Sequence, residues 1–355
     1  MNKPIIFDTS DGQELRINMI GPWLKNNFPA ANAKIVKLSL DGGFTCPNRD
    51  GSKGTGGCLF CSESGSGDMA SSVGAGNPDG GADGICIRDA IDRQIKLLSV
   101  KWPPEKYDLR YIAYFQSHTN TYAPVQVLRE KFEAALESPD VAGLAIATRP
   151  DCISDEVADL LSELNEKTFL WVELGLQTTH PATAKAMNLC YTPADYEDAA
   201  DRLCSRGIRV VAHLILGLPG ETREMMMKSV SRVCKPLPCG SRIFGLKLHM
   251  LNVVRGSGME KVCPDYVPFV SMEEYIDLLI GALEIVPPEI TMHRISGDAP
   301  RATLIAPAWS YRKRTILNEI HRTMRQRNTW QGRLADDQMQ RSNATFKRNN
   351  QTQRS

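Results

Sequence analysis

Residues 142–176 read AGLAIATRPDCISDEVADLLSELNEKTFLWVELGL and contain the pattern that decides the fold. An apolar run at 142–148 precedes apolar residues at three- and four-residue spacings over 155–164, and a second apolar run follows at 169–176. Continuous apolar runs are typical of parallel strands that are covered on both faces. The segment therefore predicts a strand, a helix and a second parallel strand.

The same unit recurs along the chain. Further strands are predicted at 34–40, 109–115, 208–216, 243–251 and 290–295, and further helices at 85–98, 124–136, 193–206, 271–283 and 311–327. Six strand-then-helix units predict an α/β fold with a parallel sheet, either doubly wound or a partial or full barrel. In all of these the active site lies at the carboxyl ends of the strands.

Composition narrows the function classes. A chain of 355 residues with 42% hydrophobic and 23% charged residues is not mainly disordered, and 42 Lys and Arg against 41 Asp and Glu give no overall charge that indicates nucleic acid or membrane. Ten cysteines are too few for a small disulfide scaffold. We find no secretory signal and no apolar stretch of ~18 residues, so the cytoplasm is the expected compartment. Close cysteine pairs there indicate metal or redox chemistry.

A glycine-rich loop after the first predicted strand holds three cysteines. Residues 46–61 read CPNRDGSKGTGGCLFC. The two-residue spacer between Cys58 and Cys61 lets two thiolates reach one metal centre, and the glycines let the backbone wrap closely around it. An iron–sulfur cluster with one open iron, a zinc site with a histidine as fourth ligand, and three incidental cysteines are the alternatives. The lack of a nearby histidine weighs against zinc and buried cysteines are rare in such loops, but the spacing alone leaves the three alternatives open.

With five other segments, this loop resembles the cluster loop of radical S-adenosylmethionine (SAM) enzymes. These segments follow or end predicted strands: FQSHTNTYAP at 115–124, TRPDC at 148–152, ELGLQT at 173–178, HLILGLPGET at 213–222 and HRISGDAPR at 293–301. The set is similar to a bacterial subfamily related to the radical domain of the Elongator catalytic subunit, which modifies wobble uridine in tRNA. The resemblance covers about residues 15–332 and implies a partial (β/α)6-type parallel barrel with short terminal additions. It leaves no segment for the acetyltransferase domain of Elongator-type proteins, so acetyl transfer is not expected.

The resemblance implies a cofactor set and its ligands. Cys46, Cys58 and Cys61 would bind three irons of a [4Fe–4S] cluster whose fourth iron holds SAM. An electron from a donor such as flavodoxin or ferredoxin would then cleave SAM to a 5′-deoxyadenosyl radical that abstracts a substrate hydrogen. The implied SAM contacts are Phe60 on the adenine, Gln116, Ser117 and Thr119 near the methionine amino group, Glu173 and Gln177 at the ribose or methionine, and the backbone of Leu216 and Gly217.

Each implied contact has a structural alternative. Phe60 would otherwise be local packing, residues 116–119 a capped loop, Glu173 and Gln177 an internal hydrogen-bond network, and residues 216–217 a turn into a helix. The candidates for the substrate side, each of which is equally well a satisfied structural residue, are Arg149, His213, Lys247, His249 and Arg294.

One segment departs from the related proteins, which usually have Asn-Arg-Gly-His-Thr/Asp after the fourth strand. This chain has Asn188-Leu189-Cys190-Tyr191-Thr192 instead, which implies altered specificity or lost activity. The cysteines outside the loop lack metal-like spacing, and we expect them to be ordinary packing residues: Cys86, Cys152, Cys190, Cys204, Cys234, Cys239 and Cys263.

The expected organisation has four parts. Residues 1–30 form an N-terminal extension, 31–310 a radical SAM core with a glycine-rich loop at 62–84, 311–343 a C-terminal helix with a basic segment, and 344–355 a disordered tail. Residues 321–355 carry eight Lys and Arg against two Asp and Glu, a net charge of +6, and the rest of the chain sums to −5. The basic end is a solvated terminus or an RNA contact, which keeps tRNA as an expected substrate. A small metabolite, a protein side chain and a non-catalytic metal-binding module are the alternatives, and no membrane partner is expected.

Overall fold

A computed structural model describes residues 4–7, 14–28, 33–63, 65, 71–72, 87–297 and 299–335. Within these residues, eight parallel strands form one sheet in the order β2-β1-β3-β4-β5-β6-β7-β9, and the seven longer ones curl into a half-barrel. A separate antiparallel pair joins β8 to β10. The strands are β1 Lys34–Asp41, β2 Ser71–Ser72, β3 Leu109–Phe115, β4 Val141–Thr148, β5 Phe169–Gln177, β6 Arg209–Leu216, β7 Gly245–Met250, β8 Val253–Val254, β9 Thr291–Arg294 and β10 Leu304–Ala306.

The described residues form ten α-helices, most of which pack against the convex face of the sheet. They are α1 Ile20–Asn27, α2 Ile87–Ser99, α3 Val125–Leu136, α4 Asp155–Lys167, α5 Pro181–Ala186, α6 Pro193–Cys204, α7 Arg223–Val233, α8 Gly258–Val262, α9 Met272–Ile285 and α10 Lys313–Gln326, with short 3₁₀ turns at Pro150–Cys152 and Ala308–Tyr311. The predicted α/β partial barrel is confirmed, because β1, β3, β4, β5, β6 and β7 are each followed by a helix before the next long strand. The last predicted helix begins two residues late, since a 3₁₀ turn precedes it.

Side-chain caps fix where several helices begin. The Ser154 hydroxyl accepts from the Val157 N–H at the start of α4, at 3.2 Å. Thr192 and Asp195 form a reciprocal capping box at the start of α6, just before a proline whose fixed φ suits the first helical turn. Both starts agree with the sequence prediction. Short connections of this kind bring each strand's carboxyl end to the same edge of the half-barrel.

Aromatic side chains fill the concave face of the sheet near the amino-terminal ends of the strands. Trp23 and Phe28 of the α1 segment meet Phe244 and Phe169 with ring centroids 5.0 and 5.1 Å apart. Helix α1 therefore closes the amino-terminal end of the half-barrel, and the space inside it remains only at the carboxyl ends of the strands.

Residues placed by the sequence in an N-terminal extension are part of this core. Ile17 is fully buried, and the Arg16 guanidinium donates to the side chain of Asn328 at 3.1 Å. The backbone N–H of Asn18 donates to the Gln331 side chain at 2.9 Å. The described residues 14–28 thus pack with the segment after α10 rather than standing apart from the barrel.

Most of the predicted glycine-rich loop at 62–84, Cys86 and the predicted tail at 344–355 lie outside the described residues. Among the residues that are described, no helix combines the length and the apolar character needed to cross a bilayer.

Candidate active site

A cavity of about 450 Å³ opens at the carboxyl ends of the strands. Its wall includes the three loop cysteines and polar side chains from all seven long strands of the half-barrel. Of the residues singled out from the sequence, it is lined by Cys46, Cys58, Phe60, Cys61, Gln116, Thr119, Arg149, Glu173, Gln177, His213, Lys247, His249 and Arg294. Thirteen predicted residues from separate segments therefore meet in one place.

The cysteine loop is held against the barrel by its own polar side chains. The Arg49 guanidinium donates to the carbonyls of Ser62 and Glu63, the latter at 2.8 Å, and so ties the two ends of the loop together. The N–H of Leu59 donates to the Met187 carbonyl at 3.1 Å, which docks the loop on the segment after β5. These contacts fix the loop's position independently of any bound group.

The three cysteines line the loop end of the cavity, and none of them is in a disulfide. The Cys58 thiol lies within hydrogen-bond reach of Cys61, and this contact together with burial raises the pKa of Cys58 well above its ordinary value. The Asn48 amide nitrogen is 3.6 Å from the Cys58 sulfur. Soft thiolates with an N–H donor beside them suit iron–sulfur chemistry.

Within the described part of the chain, no three His, Cys, Asp or Glu side chains are gathered closely enough to hold a single metal ion. A [4Fe–4S] cluster binds each cysteine through a different iron, so its ligands surround a whole cluster rather than one ion. The donor set of Cys46, Cys58 and Cys61, all facing one cavity, therefore fits the cluster implied by the sequence.

Below the loop, polar and charged side chains form what we call the cavity floor: Tyr114, Glu173, His213, Lys247, His249 and Arg294. Glu173 is completely buried and forms an ion pair with Lys247, whose side chain is 2% exposed. Its Oε2 also accepts from the Tyr114 hydroxyl at 2.6 Å and lies 3.1 Å from His213 Nε2. Its Oε1 accepts from the Trp171 indole N–H at 3.0 Å. Every oxygen of this carboxylate is thus engaged by the protein.

The electrostatics of the cavity floor follow from burial and proximity. Burial works to raise the pKa of Glu173, but the positive charges of Lys247 and Lys37 outweigh it and hold the pKa well below its ordinary value. Burial lowers the pKa of His213 to about 4, and Lys247 adds to this effect. Burial raises the pKa of Tyr114 well above its ordinary value. Near neutral pH the floor therefore holds an ionised carboxylate, a neutral imidazole and a protonated phenol.

The structure gives Glu173 a different setting from the one predicted. It lies at the centre of β5 rather than at its end, and the internal network left open by the sequence is what its oxygens make. Gln177 does end the strand, with a left-handed φ of 68° that turns its side chain back over Gly175. Its role as a SAM contact stays a prediction.

Three predicted SAM contacts are not among the residues that line the cavity: Ser117, Leu216 and Gly217. The Leu216 carbonyl accepts from the Leu251 N–H at 2.9 Å. The Gly217 N–H points at the Met226 sulfur at 3.1 Å, and its carbonyl accepts from the Tyr266 hydroxyl at 2.9 Å. Gly217 has φ +87° and packs against an aromatic ring, so the structure shows the turn into α7 that was the alternative for this segment.

Arg149 lies between the loop and the floor. Its Nε and Nη2 each donate to Asp151 at 2.9 Å, and its guanidinium carbon lies 4.8 Å from the Tyr191 ring centroid. Its third nitrogen, Nη1, is buried and makes no hydrogen bond with the described residues. Arg149 is therefore a preorganised cation with one donor directed away from its ion pair.

The segment that departs from the related proteins lies against the cysteine loop. The Cys190 thiol donates to the Asn48 amide oxygen at 3.1 Å, and Asn188 donates to the carbonyls of Thr55 and Gly57 at 3.1 and 2.8 Å. Both residues adopt left-handed φ angles, 55° for Asn188 and 58° for Cys190. Cys190 is thus a structural neighbour of the loop, as expected.

Sequence reasoning missed several residues of the site. Tyr114 and Trp171 lie within apolar strands, where a hydroxyl or an indole is easily taken for core packing. Lys37 approaches Glu173 at 3.9 Å from β1. A lysine within an apolar run was a usable signal, because a buried charge is costly without a partner.

Comparison with known proteins agrees with this arrangement. The family model of the radical SAM superfamily matches residues 50–233, and that of the radical SAM C-terminal domain matches residues 243–326. The chain belongs to the radical SAM superfamily. It is 42% identical over 334 residues to "Uncharacterized protein YtqA" of Bacillus subtilis, a match that covers 94% of this chain and 96% of that protein.

The predicted similarity to Elongator is also confirmed, at a greater distance. Elongator complex protein 3 of Homo sapiens is 26% identical over 161 residues, which are 44% of this chain and 28% of that protein. The tRNA uridine(34) acetyltransferase of Methanocaldococcus jannaschii is 26% identical over 164 residues, 46% of this chain and 29% of that protein. The structure of archaeal Methanocaldococcus infernus Elp3 superposes on this chain with a TM-score of 0.59 at 17% sequence identity. The match covers 84% of this chain and 64% of that chain, which shows a shared fold.

Proposed function

We propose that this radical SAM protein binds a [4Fe–4S] cluster through Cys46, Cys58 and Cys61 and modifies tRNA. The observation that carries the proposal is that three cysteines of one anchored loop face the same cavity as the floor of the barrel. When bound, the cluster and SAM supply reductive cleavage of SAM and a 5′-deoxyadenosyl radical. Membership of the superfamily supports both cofactors.

Residues of this chain would position the cysteine loop and the substrate. The Arg49 contacts and the docking of Leu59 hold the cysteine loop over the cavity. Phe60 offers an apolar face beside the cysteines, and the thiol of Cys61 follows it directly. At the other end, the closed network around Glu173 fixes the floor, so that a substrate atom entering the cavity meets a rigid polar surface. A cavity of this kind, when filled by a substrate, would exclude water and competing hydrogen donors.

Two observations support RNA as the substrate. One relative that matches 46% of the chain is a tRNA uridine(34) acetyltransferase. Residues 321–355 carry a net charge of +6, which favours a phosphate backbone. A base swung out of its stack is a natural fit to a cavity at the carboxyl ends of the strands, because enzymes that act on bases extrude them into pockets.

The proposal includes an electron donor and a compartment. A one-electron carrier such as flavodoxin or ferredoxin would deliver the electron that cleaves SAM. None of the nine cysteines among the described residues is in a disulfide, in keeping with a reducing compartment such as the cytoplasm.

The test is anaerobic reconstitution of the full chain with iron and sulfide, followed by reduction in the presence of SAM and a search for 5′-deoxyadenosine, with and without bulk tRNA. Cys58→Ser should lose bound iron and all cleavage, because one cluster ligand is gone. Cys190→Ser is the matched control, since it changes a thiol that touches the same loop from outside the proposed ligand set, and it should retain iron. Cleavage that survives Cys58→Ser would refute the cluster assignment.

RNA binding has its own measurement. Affinity for bulk tRNA should fall steeply with salt, because binding to phosphates releases counterions. Replacing the Lys and Arg residues at 341, 347, 348 and 354 by Gln should make the slope shallower, by roughly 0.7–0.9 for each phosphate that the variant no longer neutralises. Normal SAM cleavage with no effect of tRNA, and no tRNA binding at low salt, would instead indicate a small metabolite or a protein side chain as the substrate.

A further inference from the structure

A positively charged strip of surface adjoins the cavity. The segment after β9 contributes Ala299 and Pro300 to the cavity wall and then continues through β10 to the start of α10. From 299 to 318 the sequence has no acidic residue. The segment carries four exposed side chains that we call the basic rim: Arg301, Tyr311, Arg312 and Arg314.

An aromatic ring joins the two ends of the basic rim. The Tyr311 side chain is 41% exposed, and the guanidinium carbons of Arg301 and Arg312 lie 4.7 and 5.7 Å from its ring centroid. The Arg312 Nε also donates to the Tyr311 hydroxyl at 3.4 Å. A guanidinium is attracted to the face of an aromatic ring, so residues ten positions apart in the chain form one continuous surface.

The positive charges of the rim are not balanced within the protein. Its three arginines form no ion pair in the part of the chain that the structure describes, whereas two arginines toward the other end of the same helix do. Arg322 pairs with Glu319, and Arg327 pairs with Asp277 at 2.7 Å. The lack of pairing is therefore a property of the rim and not of the arginines around α10 in general.

The rim is also poorly placed for the stability of α10. Arg312 immediately precedes the helix and Arg314 is its second residue, and the first turn contains no acidic side chain. The amino end of a helix carries partial positive charge, so cations there are unfavourable. Since neither ion pairs nor the helix dipole stabilise these charges, the arrangement is better explained by a negatively charged partner than by folding.

We propose that the basic rim binds a single-stranded segment of RNA, with its arginines on the phosphates and Tyr311 against a base, beside the nucleotide that enters the cavity. This inference rests on the proposed function, because it assigns a surface to the nucleotides that flank the reacting one. Since Arg301 directly follows a residue of the cavity wall, one strand can contact the rim and the cavity together.

The composition of the rim favours a single strand over other anionic partners. Surfaces that bind single-stranded nucleic acid combine cations for the backbone with aromatic rings on which bases stack. Bases also stack on the planes of arginine guanidinium groups. A duplex would present phosphates but no free base face to Tyr311, and a base that is extruded into a pocket leaves its neighbours locally unstacked.

The experiment is binding of fluorophore-labelled bulk tRNA to the full chain without cluster or SAM, measured by fluorescence anisotropy over a range of salt concentrations. Arg301→Gln/Arg312→Gln/Arg314→Gln should weaken binding at low salt roughly tenfold or more. It should also make the slope of log affinity against log salt shallower by about 0.7 for each phosphate that is no longer neutralised. Tyr311→Ala should weaken binding roughly fivefold or more through lost stacking, and Tyr311→Phe should bind as the unsubstituted chain does.

The matched control is Arg93→Gln/Lys96→Gln/Lys106→Gln. It removes the same charge from exposed positions on α2 and just after it, and α2 packs against β1, near the edge of the sheet opposite β9. The control should bind tRNA with the affinity and salt slope of the unsubstituted chain. Neither triple variant should lower the midpoint of thermal unfolding, because all of the substituted side chains are exposed.

Two results would overturn the inference while tRNA binding, and with it the proposed function, stands. One is an equal affinity and an equal salt slope for the rim variant and the control. The other is normal tRNA binding by a rim variant whose cluster-loaded form is reduced more slowly by flavodoxin, which would make the rim a docking surface for an acidic protein. Failure of the unsubstituted chain to bind tRNA at low salt would contradict the RNA part of the proposed function as well.

Discussion

Removing the charge of Glu173 should destabilise the protein far more than removing a surface charge. Glu173→Gln keeps the shape of the side chain but removes the negative charge. It also replaces one of the two oxygens that accept from the Tyr114 hydroxyl and the Trp171 indole by an NH2 group, so one of these two hydrogen bonds is lost as well. Lys247, with its side chain 2% exposed, then stays buried without its partner. Breaking a buried pair in this way costs about 3–5 kcal/mol of the free energy of unfolding.

The double variant separates charge from packing. Lys247→Met alone leaves the Glu173 carboxylate without its ion-pair partner and should cost a similar amount, about 3–5 kcal/mol. In Glu173→Gln/Lys247→Met no buried charge of the pair is left uncompensated, so the loss should be well below the sum of the two single losses. The coupling free energy between the two sites should therefore reach about 1–3 kcal/mol.

The measurement is urea unfolding of the reduced, metal-free protein at pH 7. Glu137→Gln is the matched control, because it breaks a surface ion pair with Arg88. The Arg88 side chain is 56% exposed and the Glu137 side chain is 63% exposed. Exposed pairs are worth about 0.2–1 kcal/mol. A loss below about 1 kcal/mol for Glu173→Gln, or additive losses in the double variant, would show that the floor is not a closed charge network.

Three other perturbations test separate parts of the structure by the same unfolding assay. Gly217→Ala should lower the free energy of unfolding by about 2–5 kcal/mol, because its φ is +87° and the new Cβ would lie 2.7 Å from an aromatic ring carbon. Gly220→Ala, with φ +81° and open space around the new Cβ, should lower it by only about 1–2 kcal/mol. Equal losses would contradict the packing argument. Burial lowers the pKa of His213 from 6.5 to about 4, so the unfolded chain takes up its proton first as the pH falls, and stability is lost between pH 6.5 and 4. His213→Gln should reduce that loss of stability by about 3 kcal/mol. An unchanged profile of stability against pH would contradict the assignment. Leu24→Ala should cost about 2–5 kcal/mol if α1 closes the half-barrel, against less than about 0.5 kcal/mol for the exposed Lys25→Ala, and similar costs would show that α1 is peripheral.

The fold was predictable because the positions of the strands are recognisable in the sequence. Most of the long strands are largely buried apolar runs, and the boundaries of 109–115 were predicted to the residue. The helices that were missed carry weaker patterns. Helix α1 has only eight residues and includes Gly21-Pro22, and α5 has six and starts at a proline. Short helices owe their stability to tertiary packing, which local periodicity does not report.

The loop cysteines could be proposed as ligands because their spacing is a local property of the sequence, whereas backbone contacts depend on partners that are distant in the sequence. Whether the Gly217 carbonyl faces the cavity depends on Tyr266, and whether its N–H does depends on Met226. Those partners lie 49 and 9 residues away, and nothing in the segment 213–222 records them. Local motifs therefore identify the type of site better than they identify which atoms face it.

The network around Glu173 shows what a sequence leaves out even when each member is visible in it. Glu173 pairs in register with Ala147 on one side and Val211 on the other, so none of its charged partners is its direct neighbour in the sheet. Lys37 lies on β1, with β3 and β4 between it and β5. In a flat sheet three strand spacings, about 14 Å, would separate these strands, more than a lysine side chain spans. The 3.9 Å contact exists because the sheet curls, and curvature is the property that turns isolated polar residues in apolar strands into one site.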